Sequence, residues 1–398
     1  MTAYLLDWCG LLVRWLHIIA GIAWIGSSFY FVWLDNSLEP LGEREPPDPR
    51  VAGELWSVHG GGFYRSRKYR VAPEVLPPTL HWFYWEAYTT WLSGFGLLCL
   101  LYFLRAEAYL IDPAVMALSK PAAIAIAVAS ILGSWLVYDG LCRSPLGNRP
   151  RALAIAVSVV TALEAWGLCQ IFGGRGAFMV FGAALGSIMV ANVLFIIIPG
   201  QRGLVRAKLE GREPDAGPGL RGKQRSVHNT YFTLPVLFVM ISNHYPMTYG
   251  SRFGWLVLAL IGTAGVLVRL FFVARHRGQF QWPLPVAAIA ILVLVAIGIA
   301  PAASSPDAGA HPVTFATVQP IFAQRCAVCH AEKPTQAGID APPLGVMLDT
   351  PQRIQAAAPR VLQQAVATQT MPLGNLTQMT PEERAQVGAW IEAGAKID

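Results

Sequence analysis

Eight apolar windows constrain what this chain of 398 residues can fold into more than any other feature. Each is long enough to cross a bilayer core of about 30 Å, which takes roughly 20 helical residues. They run approximately Leu11–Leu34, Trp82–Leu104, Pro121–Tyr138, Ala152–Phe172, Phe178–Ile198, Thr230–Tyr249, Trp255–Val273 and Pro283–Ala300. In hydrocarbon, backbone N–H and C=O groups have no water to bond, so windows of this length predict helices that satisfy their own backbone. With 54% hydrophobic and only 14% charged residues, the chain is too apolar for an ordinary soluble protein of its length. The sixth window is the weakest, with Pro235 inside it and polar Asn243 and His244 near its end.

Charge placement gives these windows a direction. The loops at 35–80, 140–151, 199–228 and 274–282 hold 18 lysines and arginines, whereas the N-terminus and the loops at 105–120, 173–176 and 246–252 hold 4. Basic residues are retained in the cytoplasm, so the first set is expected inside and the N-terminus outside, with eight crossings returning the tail to the outside. The formal charge of +6 is then mostly a topogenic bias, and a nucleic-acid surface is a poor explanation for it. Cys9, Cys99, Cys142 and Cys169 are scattered singly and suggest no disulfide framework.

The tail carries a different signal. In Cys326-Ala327-Val328-Cys329-His330 two thiols three positions apart can each add to a vinyl group of one porphyrin, and His330 follows in place to bind the iron. The alternative of half a zinc site finds no second Cys/His pair in the tail. Haem c is attached outside the cytoplasm, which agrees with the charge bias. Met371, in a Pro/Gly-rich loop, is the favoured sixth ligand, with Met347 and Met379 as competitors. An apolar pattern through Phe315, Val318, Ile321 and Phe322 predicts a helix running into the cysteines. Thr380, Pro381 and Glu383 form a capping box that opens a last helix carrying Val387, Trp390 and Ile391. The expected fold class is therefore all-α, an eight-helix polytopic membrane bundle over 1–301 and a small class-I-like cytochrome c domain over 313–398. The stretch 302–312, rich in Ala, Ser and Pro, reads as a flexible linker.

Ionisable residues inside spans are costly and mark sites or pairs. Arg14 and His17 lie in the first window, Glu86 in the second, Glu164 in the fourth, His244 in the sixth and Arg269 in the seventh. Interhelical pairing of Arg14 or Arg269 with Glu86 or Glu164 is the plain reading. Loop 1 offers His59, three glycines (Gly60, Gly61, Gly62) and then Arg65, Arg67, Lys68 and Arg70, a set that could cradle an anion or bind lipid headgroups. His81, Trp82, Tyr84 and Trp85 could stack on a flat ligand or form an interfacial aromatic belt.

Several segments together resemble the membrane-bound bacterial cytochrome c urate oxidases. The resemblance rests on Trp15-Leu16-His17 and Trp24 to Phe31 (WIGSSFYF), on Val58 to Tyr64 (VHGGGFY) and on Leu80 to Tyr88 (LHWFYWEAY). It continues through Asn192 to Gln201 (NVLFIIIPGQ), Val227 to Tyr245 (VHNTYFTLPVLFVMISNHY), CAVCH and MPLGN, and so spans nearly the full length. It implies a multi-pass bacterial inner-membrane oxidoreductase that converts urate to 5-hydroxyisourate with water as the hydroxyl source. Electrons would pass to the fused periplasmic haem c and on to soluble or membrane c-type cytochromes and a terminal oxidase. A site for the planar, anionic purine wants cations, rings, amides and a base. Glu86, His81, His17, His244 and His228 are the candidate acid–base groups, and Arg14, Trp82, Asn192, Asn243, Arg269 and His59 the candidate substrate contacts.

The densest of these motifs fall on the cytoplasmic side, whereas haem c belongs outside. A bilayer core of about 30 Å is too far for one efficient electron hop. Either the purine binds toward the outer leaflet near His17 and His244, or a second, b-type haem held by paired helix histidines bridges the gap. The competing reading is a non-catalytic membrane cytochrome relaying electrons from quinol or a partner protein, and a transporter with a redox accessory domain is a third. The topology is testable directly: a phosphatase fused after Asp398 is expected to be active and one inserted in the 199–228 loop inactive, and the reverse would overturn both the charge argument and the haem reading.

Overall fold

The computed structural model describes residues 2–42, 48–300, 313–336, 339 and 341–397, and 69% of the chain is helical. The expected linker at 302–312 lies outside the described residues. The long helices are α1 (Thr2–Asn36), α2 (Trp85–Leu97, continued by a wider π-type turn over Leu98–Phe103), α4 (Lys120–Arg143) and α5 (Pro150–Ile171). They continue with α6 (Gly174–Ala191, running through the π-type turn Asn192–Ile197 into α7, Ile198–Leu209), α8 (Ala216–Ser242), α10 (Gly254–His276) and α11 (Pro283–Gly298). Short α3 (Ala106–Tyr109) and α9 (Pro246–Tyr249) sit in connections. Five of the described helices are long and apolar enough to cross a membrane: Tyr4–Asn36, Lys120–Arg143, Pro150–Ile171, Gly174–Leu209 and Gly254–His276. Helix α6 is the central post. It packs on α2, α4, α5 and α8, and Gly182 lets Val239 approach so closely that a Cβ there would stand 2.5 Å from the valine methyl.

Two expectations change. Loop 1 contains an antiparallel hairpin, β1 (Val51–His59) and β2 (Gly62–Tyr69), so the fold is mostly helical without being all-α. His59 pairs with Gly62 across a two-residue turn in which Gly60 and Gly61 have φ of +56° and +82°. Only glycine enters that region without steric cost, so the glycines serve the tight turn and leave His59 at an exposed tip. The cations of β2 are taken up internally: Arg65 and Arg67 reach Glu54 at 2.6 and 3.1 Å, and Lys68 pairs with Asp35. Helix α8 also starts earlier and ends earlier than its apolar window. Asp215 caps it by accepting from the Gly217 N–H at 2.9 Å, it passes through Pro235, and it stops before Asn243 and His244.

The tail packs α12 (Phe315–Ile321), α13 (Pro351–Val361) and α14 (Pro381–Glu392) around Trp390, which is buried against Phe315 and Phe322 with ring centroids 5.6 and 5.8 Å apart. The capping box at Thr380 and Glu383 is formed, and Arg325 reaches Glu383 at 3.0 Å. Burial pushes the Glu383 carboxyl up, but Arg325 and the Thr380 N–H outweigh it and hold the group below the usual carboxylate range.

The tail sits on one end of the bundle. Gly250 is so close to the Thr368 carbonyl that an added Cβ would lie 2.3 Å from it. Gly374, with φ of +56°, lies over the Glu107 and Ala108 carbonyls. These contacts join the tail to the 105–112 and 246–250 connections, two of the loops expected on the haem side. Gly250→Val should wedge the two parts apart at an overpacking cost of about 1–3 kcal/mol. Hydrogen exchange is then expected to quicken at 105–112 while the thermal transition of the Trp390 core stays unchanged; unaltered exchange would refute the contact.

Candidate functional site

One continuous cavity of about 2710 Å³ opens between bundle and tail. Its floor is formed by Trp24 and Ile25 of α1, Thr90 and Trp91 of α2, Met189 of α6 and Thr233 of α8. At its mouth it reaches Cys326, Cys329, His330 and Met371. Arg14, His17, Asn243 and His244 line the same space, so the structure brings together these four predicted residues and the four haem-motif residues.

His17 is held for a particular use. Its Nδ1 lies 2.9 Å from the Thr90 carbonyl and 3.2 Å from Ser93 Oγ. A carbonyl can only accept, so Nδ1 carries the proton and Nε2 keeps its lone pair for another partner. Gly94 makes this fit possible, because a Cβ there would stand 2.8 Å from His17 Cε1. Beside it, Trp91 stacks on Phe95 with centroids 5.3 Å apart and planes 14° from parallel, and its indole N–H donates to Ser187 Oγ at 2.9 Å.

Nearer the mouth stands a group that sequence reasoning passed over. Arg175 Nε donates to Asn243 Oδ1 at 3.0 Å and to Tyr102 Oη at 3.3 Å, and the guanidinium lies over Tyr109 at 4.6 Å from the ring centroid. Tyr102 Oη donates to Asn243 Oδ1 at 2.8 Å, and Asn243 Nδ2 lies 3.0 Å from Met179 Sδ. The amide of Asn243 is thus committed to neighbours. The available signal was a lone cation among three glycines, Gly173-Gly174-Arg175-Gly176, which the structure places at the start of α6. Those glycines allow the chain to press on Asp112, Tyr249 and Leu110, where added Cβ atoms would fall 3.1, 2.0 and 2.9 Å from their nearest atoms.

The tail residues fit a haem c. His330 Nδ1 lies 3.0 Å from the Val346 carbonyl, which fixes the tautomer and leaves Nε2 free for a metal. Met371 is pinned through its backbone: its N–H donates to the Gln364 carbonyl at 2.9 Å and its carbonyl accepts from Arg384 at 2.6 Å. Met347 follows Val346 on the side that holds His330 and does not line the cavity, and Met379 is buried in the tail core. Met371 and Met379 both line the cavity with His330, and Met347 does not.

The remaining candidates lie elsewhere. Asn192, fully buried, donates to Tyr138 Oη at 3.1 Å and Asn229 Oδ1 at 2.8 Å, and Tyr138 Oη meets His228 Nδ1 at 2.7 Å. Arg225 joins this cluster through Asp139 at 2.7 Å and stacks over Tyr138. Asn229 Nδ2 also donates to the Met189 carbonyl at 2.9 Å, so the cluster starts just beneath the cavity floor. Arg269 lies 3.8 Å over the Phe29 ring, and Glu164 accepts from Ser134. Among the described residues no ion pair joins Arg14 or Arg269 to Glu86 or Glu164, contrary to the plain reading of those charges. Glu86 sits in the first turn of α2 with one buried oxygen lacking a partner, His81 is exposed beside Phe83, and Trp82 packs against the buried cluster of Ala87, Val190, Val193 and Ile198. Glu86, His81, Trp82, His59, His228, Asn192 and Arg269 do not line the cavity.

Fold and site together define a predominantly helical protein with helices of membrane-spanning length and a large cavity facing a Cys-x-x-Cys-His tail. Residues 3–300 match the urate oxidase N-terminal family, and the chain belongs to it. No curated protein and no solved structure matches the chain.

Gly94→Val should displace the His17 ring without touching the tail. Its expected signature is a weakened His17–Thr90 hydrogen bond, seen as a shifted imidazole Nδ1 resonance in selectively labelled protein, with an unchanged tail spectrum. An unshifted resonance would show that the cradle is not needed.

Proposed function

We propose that this protein is a membrane-bound urate oxidase that delivers electrons to a haem c carried on its own tail, with urate held in the cavity between bundle and tail. The carrying observation is that His17, Trp91 and Arg175 line one space with Cys326, Cys329, His330 and Met371. Family membership supplies the substrate class. In this reading residues 1–301 are an eight-crossing urate-oxidising domain and 313–398 a periplasmic cytochrome c domain, joined by 302–312.

Conversion of urate and one water to 5-hydroxyisourate releases two electrons and two protons. Cys326 and Cys329 would hold the haem covalently and His330 and Met371 would ligate its iron. When bound, the haem would supply a one-electron acceptor at the cavity mouth, so each urate would reduce it twice, the first electron passing on to an external c-type cytochrome or a second protein's haem before the next is taken. The faces of Trp91 and Phe95 offer a stacking platform for a flat purine. His17 Nε2, unprotonated and directed by the Thr90 contact, takes a proton from the attacking water, as a general base at a ring carbon requires. Arg14 adds positive charge at the rim and His244 a further proton acceptor. Glu86, His81 and His228, the other acid–base candidates apart from His244, do not line this space. With the purine in this cavity, electrons need not cross a bilayer core of about 30 Å, and no second haem is required. The electrons leave the tail for c-type cytochromes of the respiratory chain.

The test is anaerobic mixing of the purified, haem-loaded protein with urate. Haem reduction is expected with urate and not with quinol, and 5-hydroxyisourate should take its new oxygen from labelled water. His17→Gln should slow the reduction by about 10²–10⁴-fold with the haem spectrum intact. Reduction by quinol and none by urate would leave the protein an electron relay.

A further inference from the structure

The geometry points to Arg175 as the residue that binds the anionic edge of urate beside the haem, with Asn243 and Tyr102 as its positioning residues. This rests on the proposed urate reaction and adds to it a specific anion contact. A substrate that is a planar anion needs a fixed cation in contact with the cavity. Such a cation must not be neutralised by a carboxylate of the protein, or the anion would have to displace it. Arg175 meets each requirement. It lines the cavity and is only partly buried. Its Nε is used by Asn243 and Tyr102, and one face of its guanidinium is covered by Tyr109. Its two terminal nitrogens have no hydrogen-bond partner among the described residues, and no carboxylate makes an ion pair with it. A guanidinium anchored through Nε and stacked on a ring has lost most of its rotational freedom before the ligand arrives. Its terminal edge can then give two parallel N–H bonds to a planar anion at little entropic cost.

The other cations of the cavity are less suited. Arg325 is spent on Glu383 and the Thr377 carbonyl, and Arg384 on the Ala365 and Met371 carbonyls. Arg14, Arg105, Arg252 and Arg360 also line the cavity, but all four are exposed, and among the described residues none makes a side-chain hydrogen bond that would orient it. Arg175 also sits where the tail touches the bundle: Tyr109, under its guanidinium, ends the short helix whose Glu107 and Ala108 carbonyls carry Gly374, three residues from Met371. A purine bound at Arg175 is therefore held at the haem side of the cavity, with Trp91 and His17 deeper in.

The experiment measures urate-driven haem reduction in the full-length, haem-loaded protein together with equilibrium urate binding to its oxidised form by calorimetry. Arg175→Gln should raise the half-saturating urate concentration and the dissociation constant by roughly ten- to a hundredfold, the loss expected for charge-assisted hydrogen bonds. The limiting rate should change little and the haem midpoint potential should hold. Competition by caffeine, an uncharged purine, should be unaffected. Arg175→Lys should recover only part of the affinity, and free guanidinium ion should restore binding to Arg175→Ala. Tyr102→Phe should weaken binding less than Arg175→Gln. Unchanged urate affinity in Arg175→Gln would overturn the assignment. So would a shifted haem potential with unchanged urate affinity, which would give the guanidinium to a haem carboxylate instead. Should urate fail to reduce the haem of the unaltered protein, the proposed reaction falls, while the calorimetric comparison still decides whether Arg175 binds the anion.

Discussion

The close seating of the tail on the bundle is the contact on which the rest depends. At Gly250 an added Cβ would fall 2.3 Å from the Thr368 carbonyl, and at Gly374 it would stand 3.0 Å from the Glu107 carbonyl, so the two parts lie in close contact at both points. That approach puts Cys326, Cys329, His330 and Met371 at the mouth of a cavity that α1, α2, α6 and α8 also line. Electron transfer falls off steeply with distance, so a redox partner is useful only where the substrate can come close to it. A bundle carrying the same polar residues but a loosely tethered tail would lose that proximity.

Within the bundle the polar residues divide by depth. The tail-facing half keeps an open space lined by His17, whose Nδ1 is engaged by Thr90, by Arg175, which is anchored through Nε, and by the partly buried Trp91. Beneath the floor, Asn192, Asn229, Tyr138, His228, Arg225 and Asp139 bind one another across α4, α6 and α8. Buried polar groups without water are costly unless paired, and a nearly complete network at this depth ties three helices in register.

Much of this organisation was legible in the chain, and the parts that were not have physical reasons. Hydropathy alone locates most of the helices: five of the described helices are long and apolar enough to cross a membrane, while the windows around α2, α8 and α11 are only partly helical or hold shorter helices. The capping box at Thr380 is equally local. Helix α8 was misplaced because Arg225, His228 and Asn229 look like loop residues until Asp139, Tyr138 and Asn192 are seen beside them, each at least 37 positions away. The hairpin was hidden because its outer strand is rich in cations that Glu54 and Asp35 neutralise. His17 and His244, the pair expected toward the outer leaflet, line one cavity, whereas Glu86 and Trp82, which stand out in the sequence by density of motif, do not line it. Arg175 was overlooked because a single arginine in a short glycine loop counts only as topology until Asn243, Tyr102 and Tyr109 are found around it.

The most direct measurement is a structure of the haem-loaded protein with urate bound under anaerobic, oxidised conditions in which turnover is blocked by His17→Gln. Density for the purine is expected in the cavity between Trp91 and the haem edge, with its anionic side toward Arg175. Purine density near Glu86 and Trp82, or in the Asn192 and His228 cluster, would contradict a site shared by bundle and tail.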